Sequence, residues 1–272
     1  MRSVSRGSLL TLVLCLSLLT EVAAADEIKG GNPPADGFRA ELSDPEAIAI
    51  ADRVMEAMGG RRAYDATRYV SWLFFGRRQH YWDRYDGDIR IEGETGEGDA
   101  KSNFTLLYNI QTKEGRAFVD GSEITDEAEL AEWLERAYDM WVNDSYWVFM
   151  PYKLKDSGVA LKYLGRRTME EYGDVEALEL RFEGVGKTPE NRYEIFVDPD
   201  TWLVAAWSYF ETADLTEPGF TLPWGEWQRV GRILLAGSHG RGMDWQLRAY
   251  DELPREVFED PAPVKPGDSD SR

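Results

Sequence analysis

Residues 69–92 read YVSWLFFGRRQHYWDRYDGDIRIE, and the period of this stretch decides the fold. Val70, Trp72 and Phe74 share one face of an extended segment, and His80, Trp82 and Arg84 share one face of the next. A period of two is the period of a strand, because successive Cβ atoms point to opposite sides of a pleated chain. Asp86-Gly87 separates the second segment from Ile89-Arg90-Ile91-Glu92, a pair suited to the positive φ values of a tight hairpin. Strands are therefore expected at 69–75, 79–85 and 89–92, paired antiparallel in sequence order.

N-terminal to this stretch the period is 3.6. Ser43 is placed as a helix cap, Pro45 suits the first turn, and Glu46 completes a capping box. Ala47, Ile50, Ala51, Val54 and Met58 fall on one face, Gly59-Gly60 ends the helix, and a short turn covers 61–66. C-terminal to it, an acidic glycine-rich loop (93–100) leads to strands at 104–111 and 116–119. A longer helix opens at Thr125-Asp126, with Glu129 completing a capping box, and carries the stripe Leu130, Trp133, Leu134, Ala137, Tyr138, Trp141. Asn143-Asp144-Ser145 favour caps and turns, which predicts a break there and a restart capped by Asn143 or Asp144, running to Pro151. Two roles fit that corner. Its polar side chains satisfy backbone amides, or it is the hinge of a lid whose Trp147 and Met150 close a cavity mouth.

Strands resume at 159–166, 176–182, 193–197, 203–210, 226–230, 232–236 and 243–250. With no repeat and no linker, 44–258 reads as one domain. The fold class expected is α+β: a large curved antiparallel sheet, a half-barrel of about 11 strands, with helices covering its concave face.

The ends read differently. Arg2 and Arg6, the short apolar run 9–19 and Val22-Ala23-Ala24-Ala25 form a signal peptide, residues 1–25, cleaved after Ala25. That places the protein in the periplasm or outside the cell, with no transmembrane anchor, since the run is shorter than the ~20 residues a span needs. Leu14 before Cys15 is not the small residue that lipidation at Cys15 requires. A flexible lead-in is expected at 26–43 and a disordered tail at 259–272. Cys15 is the sole cysteine, so the mature domain has no disulfide and is held by its core alone. A net charge of −19 argues against nucleic acid and anionic membrane surfaces, where clustered Lys and Arg are needed. A monomer is expected.

Ten Trp, thirteen Tyr and eleven Phe are more rings than turns and surfaces absorb. They fill a tightly packed core, or they line an apolar cavity between sheet and helices. The candidate ligand-binding residues are Trp72, Phe74, Trp82, Trp133, Trp141, Trp147, Met150 and Trp207. Catalytic and metal-ligating residues are not assigned, and no cofactor is expected. His80 and Asp83 point to opposite faces of one strand, and His239 lies in a turn, Gly237-Ser238-His239-Gly240, without neighbouring ligands. Gly184-Val185-Gly186-Lys187-Thr188 lacks the first glycine of a phosphate loop and precedes a strand. Fifty Asp and Glu leave one catalytic alternative open, an envelope hydrolase (glycosidase- or esterase-like) using a carboxylate pair in an aromatic cleft.

Several stretches together resemble a family of uncharacterised exported bacterial proteins: 49–60 with 64–75, His80-Tyr81-Trp82-Asp83-Arg84-Tyr85-Asp86-Gly87 with Arg90 and Glu92, 141–159, and 193–201 on to Trp207. The likeness spans 45–235 and is most specific from Asn143 to Val159. It implies the LolA/LolB-like fold of lipoprotein-sorting carriers, an open half-barrel whose helical lid holds acyl chains. Taken with the aromatic stripe and the meander, it implies a non-enzymatic protein whose partner is a lipid, a fatty acyl chain or a lipoprotein.

Overall fold

The alternation in 69–92 is realised as β1 (Tyr69–Phe74), β2 (Arg78–Asp83) and β3 (Asp88–Thr95) in a computed structural model of the chain. The structure describes residues 32–184, 188–240, 242 and 244–264. The expected signal peptide, Met243, and residues 265–272 of the expected tail lie outside the described residues.

The fold is α+β with antiparallel sheets, and the sheets are open, which fits a curved half-barrel. Among the described residues the strands number 14, more than the sequence marks, and they divide into three sheets. The remaining members are β4 (Ser102–Asn109), β5 (Gly115–Val119), β6 (Ser122–Glu123), β7 (Val159–Met169), β8 (Gly173–Phe182), β9 (Arg192–Val197), β10 (Val204–Phe210), β11 (Phe220–Pro223), β12 (Gly225–Val230), β13 (Ile233–Ser238) and β14 (Arg248–Tyr250). A seven-stranded sheet runs β14-β1-β2-β3-β4-β5-β6, a five-stranded sheet runs β11-β10-β9-β8-β7, and β12-β13 form a separate hairpin. The strand expected over 243–250 is regular only at its end, as β14.

Register turns the alternation into rows across the seven-stranded sheet. Trp72, His80, Ile91, Leu106 and Ala117 are successive cross-strand partners, and each is at most 1% exposed. The β1–β2 connection, residues 75–77, holds a tight turn with φ 46° at Phe75 and 67° at Gly76, closed by Arg77 N–H to Phe74 O at 2.9 Å. Positive φ at both central positions matches the twist of the flanking strands. A phenylalanine is unusual there, and its ring packs edge-on against Trp147 and Trp245.

Helix α1 (Pro45–Ala57) buries Ala47, Ile50, Ala51 and Val54 as the pattern requires. Its N-cap is Asp44, not Ser43. The Ser43 hydroxyl is committed elsewhere: it donates to Arg39 O and accepts from Leu161 N–H. The turn expected at 61–66 is a short helix, α2 (Gly60–Asp65). Part of the lead-in lies along the edge of β7, with Arg39 N–H donating to Val159 O and Asp44 N–H to Leu161 O, which satisfies backbone groups an open edge would expose.

Helix α3 (Glu127–Phe149) starts as expected, with Asp126 accepting from the N–H groups of Ala128 and Glu129. The predicted break at Asn143-Asp144-Ser145 does not exist. The helix runs through all three residues for 23 residues and ends at Phe149, where a 3-10 turn (Met150–Lys153) holds Pro151. Asp144 neither caps a helix nor binds backbone, so both roles expected of that corner are corrected. Its carboxylate is used by side chains of β2, which leaves it nothing to offer the backbone.

The outer face of the seven-stranded sheet is covered by the C-terminal segment. Val257 and Phe258 of α4 (Glu256–Glu259) pack with Tyr81. Arg90, 0% exposed, donates to the carbonyls of Val257, Asp260, Pro261 and Ala262. Residues 259–264, expected in the tail, thus run along this face. Among the described residues no helix is long and apolar enough to cross a membrane.

Candidate functional site

Helix α3 presents two faces to two sheets. Trp133, Ala137, Asp144 and Val148, at helical spacing, are buried toward the seven-stranded sheet. Asp139, Val142, Asn143, Tyr146 and Trp147 recur at spacings of three and four on another face, and there the helix borders a cavity of about 540 Å³. The opposite wall comes from the five-stranded sheet: Phe182 of β8, Tyr193 of β9, Trp207 and Tyr209 of β10, and Phe220 of β11, with Thr188 and Asn191 before β9. Period-two alternation puts these rings on one face, because Tyr193 pairs with Tyr209, and Tyr209 with Phe220.

The rings form a continuous apolar surface. Trp207 is 1% exposed and lies at the centre: Tyr193 stacks on it at 5.2 Å, and Trp147 meets it edge-on at 4.9 Å. Trp147 also stacks on Phe220 at 5.7 Å, and Tyr209 stacks on Phe220 at 5.2 Å. Polar groups sit at the exposed margin, where Asp139, Asn143 and Thr188 lie. Asn191 is buried and paired at both ends of its amide, donating to Thr188 Oγ1 at 2.6 Å and accepting from Tyr209 Oη at 3.4 Å. A volume of this size with apolar walls and a few placed polar groups is that of a small-molecule pocket.

Beneath the margin lies a buried charged network. Asp144 accepts a bidentate pair from Arg78, at 2.7 and 2.9 Å, and a bond from His80 Nε2 at 2.8 Å. Asn143 Nδ2 donates to the same carboxylate at 2.8 Å. Burial alone would raise Asp144, but the hydrogen bonds from His80 and Arg78 and the charge of Arg78 outweigh it and hold the carboxyl below its ordinary value. His80 is shifted the other way by its burial, which outweighs the pull of Asp144, so the imidazole is neutral and donates through Nε2. Its ring stacks on Trp72 at 4.5 Å with 3° between the planes.

Two of the eight candidate residues, Trp147 and Trp207, line the cavity. Trp72, Phe74, Trp82, Trp133 and Met150 are packed in the core, each at most 7% exposed. Trp141 is half-buried against Trp82 and Tyr138. Tyr146, Phe182, Tyr193, Tyr209 and Phe220 are the lining rings that sequence reasoning missed. Tyr193, Tyr209 and the predicted Trp207 alternate on paired strands, so the signal was present; the partner, α3, was not legible.

His239 is 1% exposed inside a box of rings, with Trp224 at 4.5 Å, Trp245 at 4.6 Å and Trp147 at 5.7 Å. The carbonyls of Pro223 and Trp147 lie near, but neither ring nitrogen attains hydrogen-bond geometry. Burial pushes it down to about 4. Among the described residues no group of three or more His, Cys, Asp or Glu could hold a metal ion.

No family model and no curated protein matches the sequence. Among solved structures, the chain is similar to a DUF1329 family protein from Desulfovibrio piger, at 14% identity and a TM-score of 0.38, over 80% of this chain and 98% of that one. So distant a likeness carries no argument about what the chain does.

Proposed function

We propose that this chain is an exported, non-catalytic protein that binds a lipid or lipid-modified partner in the cavity between α3 and the five-stranded sheet. One observation carries the reading: about 540 Å³ of space walled by seven aromatic side chains, Tyr146, Trp147, Phe182, Tyr193, Trp207, Tyr209 and Phe220. Filling such a space with hydrocarbon is favourable by about 0.8 kcal/mol per buried methylene, so about ten give about 8 kcal/mol gross. After the costs of association the affinity is of order micromolar or weaker, suited to a carrier that must also release. The resemblance to lipoprotein-sorting carriers supports the same reading, and the signal peptide expected from the sequence supports export. The hydrolase alternative needs two carboxylates flanking a cleft, and among the described lining residues Asp139 is the one carboxylate.

The test is native mass spectrometry of protein purified from a lipid-containing host, followed by titration with a neutral fluorescent apolar probe. A retained apolar mass that the probe displaces is the expected result. A clean apo mass together with no probe uptake overturns the reading.

A further inference from the structure

We infer that the cavity's ligand is an acyl chain bearing an ester or amide carbonyl, and that Tyr146 donates a hydrogen bond to that oxygen. The inference rests on the lipid-binding reading above and adds to it a ligand class, the linked acyl chain as opposed to plain hydrocarbon, and a specificity residue.

Tyr146 lies on the cavity face of α3, with ring centroids of Tyr193, Trp207 and Phe182 at 5.6, 6.0 and 6.3 Å from its own. The ring is half-buried, but its hydroxyl is closed to water and has no hydrogen-bond partner. Among the described residues no other buried hydroxyl is in that state. A buried polar group left unpaired is costly and rare in native proteins. Several buried indole nitrogens also lack a partner, Trp207 Nε1 among them. An indole N–H, however, can rest on a neighbouring ring face, whereas the phenol oxygen both donates and accepts and here does neither.

Burial, with Tyr193 and Asp156 nearby, pushes Tyr146 well above the ordinary tyrosine value, so the group keeps its proton and acts as a donor. What it lacks is an acceptor. Hydrocarbon supplies none, while a carbonyl oxygen offers two lone pairs. The ring borders the cavity, so a slight tilt carries the hydroxyl to a chain that fills the space. Trp207 Nε1 is a second unpartnered donor on a residue of the same cavity. A carbonyl placed along the chain therefore meets donors that the empty cavity leaves unused.

The test compares the mature wild type with Tyr146→Phe, which removes the hydroxyl and keeps the ring. Diphenylhexatriene, a fluorescent hydrocarbon, is titrated directly, and methyl dodecanoate and N-methyldodecanamide are measured by its displacement. The variant should bind both carbonyl compounds about tenfold more weakly, as expected for one buried hydrogen bond lost, and should bind diphenylhexatriene as before. Whichever carbonyl compound binds the wild type more tightly identifies the linkage. The unliganded variant should melt at the same temperature or higher, because it loses an unpaired buried group. A melting point lowered by several degrees shows that the hydroxyl has a partner within the chain, and overturns the proposal. Unchanged binding of both carbonyl compounds, or an equal loss for them and for diphenylhexatriene, overturns it too and leaves the cavity reading standing. Failure of the wild type to bind any of the three compounds overturns the cavity reading itself.

Discussion

The two faces of α3 solve one burial problem in opposite ways. Toward the seven-stranded sheet the helix is sealed: Val148 and Phe149 are at most 3% exposed, and Asp144 is clamped by Arg78 and His80. Toward the five-stranded sheet it faces rings that touch one another yet leave about 540 Å³ between them and the helix. Small and branched side chains interdigitate to native density, whereas large flat rings stack with gaps between them. Row composition shows the cause. The sealed row runs Trp72, His80, Ile91, Leu106 and Ala117, from large to small side chains, whereas the row at the cavity is Tyr193, Tyr209 and Phe220, rings throughout. One face is shut, and the other encloses a cavity.

The largest effects should come from the sealed face. Asp144→Leu strands the Arg78 guanidinium and the His80 N–H, and should cost about 3–5 kcal/mol in urea denaturation. Phe149→Ala, which empties the space between Trp72, Trp82 and Tyr64, should cost a similar 3–5 kcal/mol. If either costs under about 1 kcal/mol, that face is not sealed.

The seam between the faces should respond to acid. His239 touches Trp147 and is held neutral, with a folded value of about 4 against about 6.5 when unfolded. Between those values the unfolded chain binds more protons than the folded one, so stability falls as pH drops from about 6.5 to about 4. At 1.4 kcal/mol per unit the His239 share is about 3 kcal/mol over the whole window. His80, lowered by burial as well, acts in the same direction. Urea midpoints at pH 8 and pH 5 should show the loss, and His239→Phe should reduce it. An identical pH dependence in that variant would falsify the assignment.

On the open face, Phe220→Ala should cost only about 1 kcal/mol, because its half-exposed ring leaves a widened pocket and not a sealed void. A cost matching that of Phe149→Ala would erase the contrast between the faces. The smallest effect on stability, under about 0.5 kcal/mol, is expected for Val142→Trp, which extends a ring into existing space. Binding of the neutral apolar probe should nevertheless drop at least tenfold, a change that fluorescence titration resolves.

The residues show how much of this was legible. Period-two alternation placed β1, β2, β4 and β10 to within a residue or two, since each needs only its own side chains to mark a buried face. Strands β6 and β11 escaped because two and four residues carry no period. The site was half visible. Trp147 and Trp207 stood out as large rings, yet nothing local says that Trp72 is packed against His80 and Phe149 while Trp207 borders open space. Asp144 misled for a related reason. Judged alone, Asn143-Asp144-Ser145 is a cap. The contrary signal was non-local: Arg78 and His80 on the inner face of one strand require a buried carboxylate, and Asp144 lies on the same helical stripe as Trp133 and Ala137.

The sequence by itself determined the class of the fold, the order of its elements and the helix start at Asp126, because periodicity and capping act within one turn or one pleat. Tertiary structure alone decided that α3 runs unbroken through Asp144, that the sheet parts into three, and that one face of the helix is filled while the other is open. Those outcomes depend on which side chains arrive from elsewhere in the chain: a guanidinium and an imidazole across 64 or more residues for Asp144, and five rings from four strands for the cavity. A local pattern can say that a side chain is buried, but only the assembled partners settle whether it meets a charge, a ring or empty space.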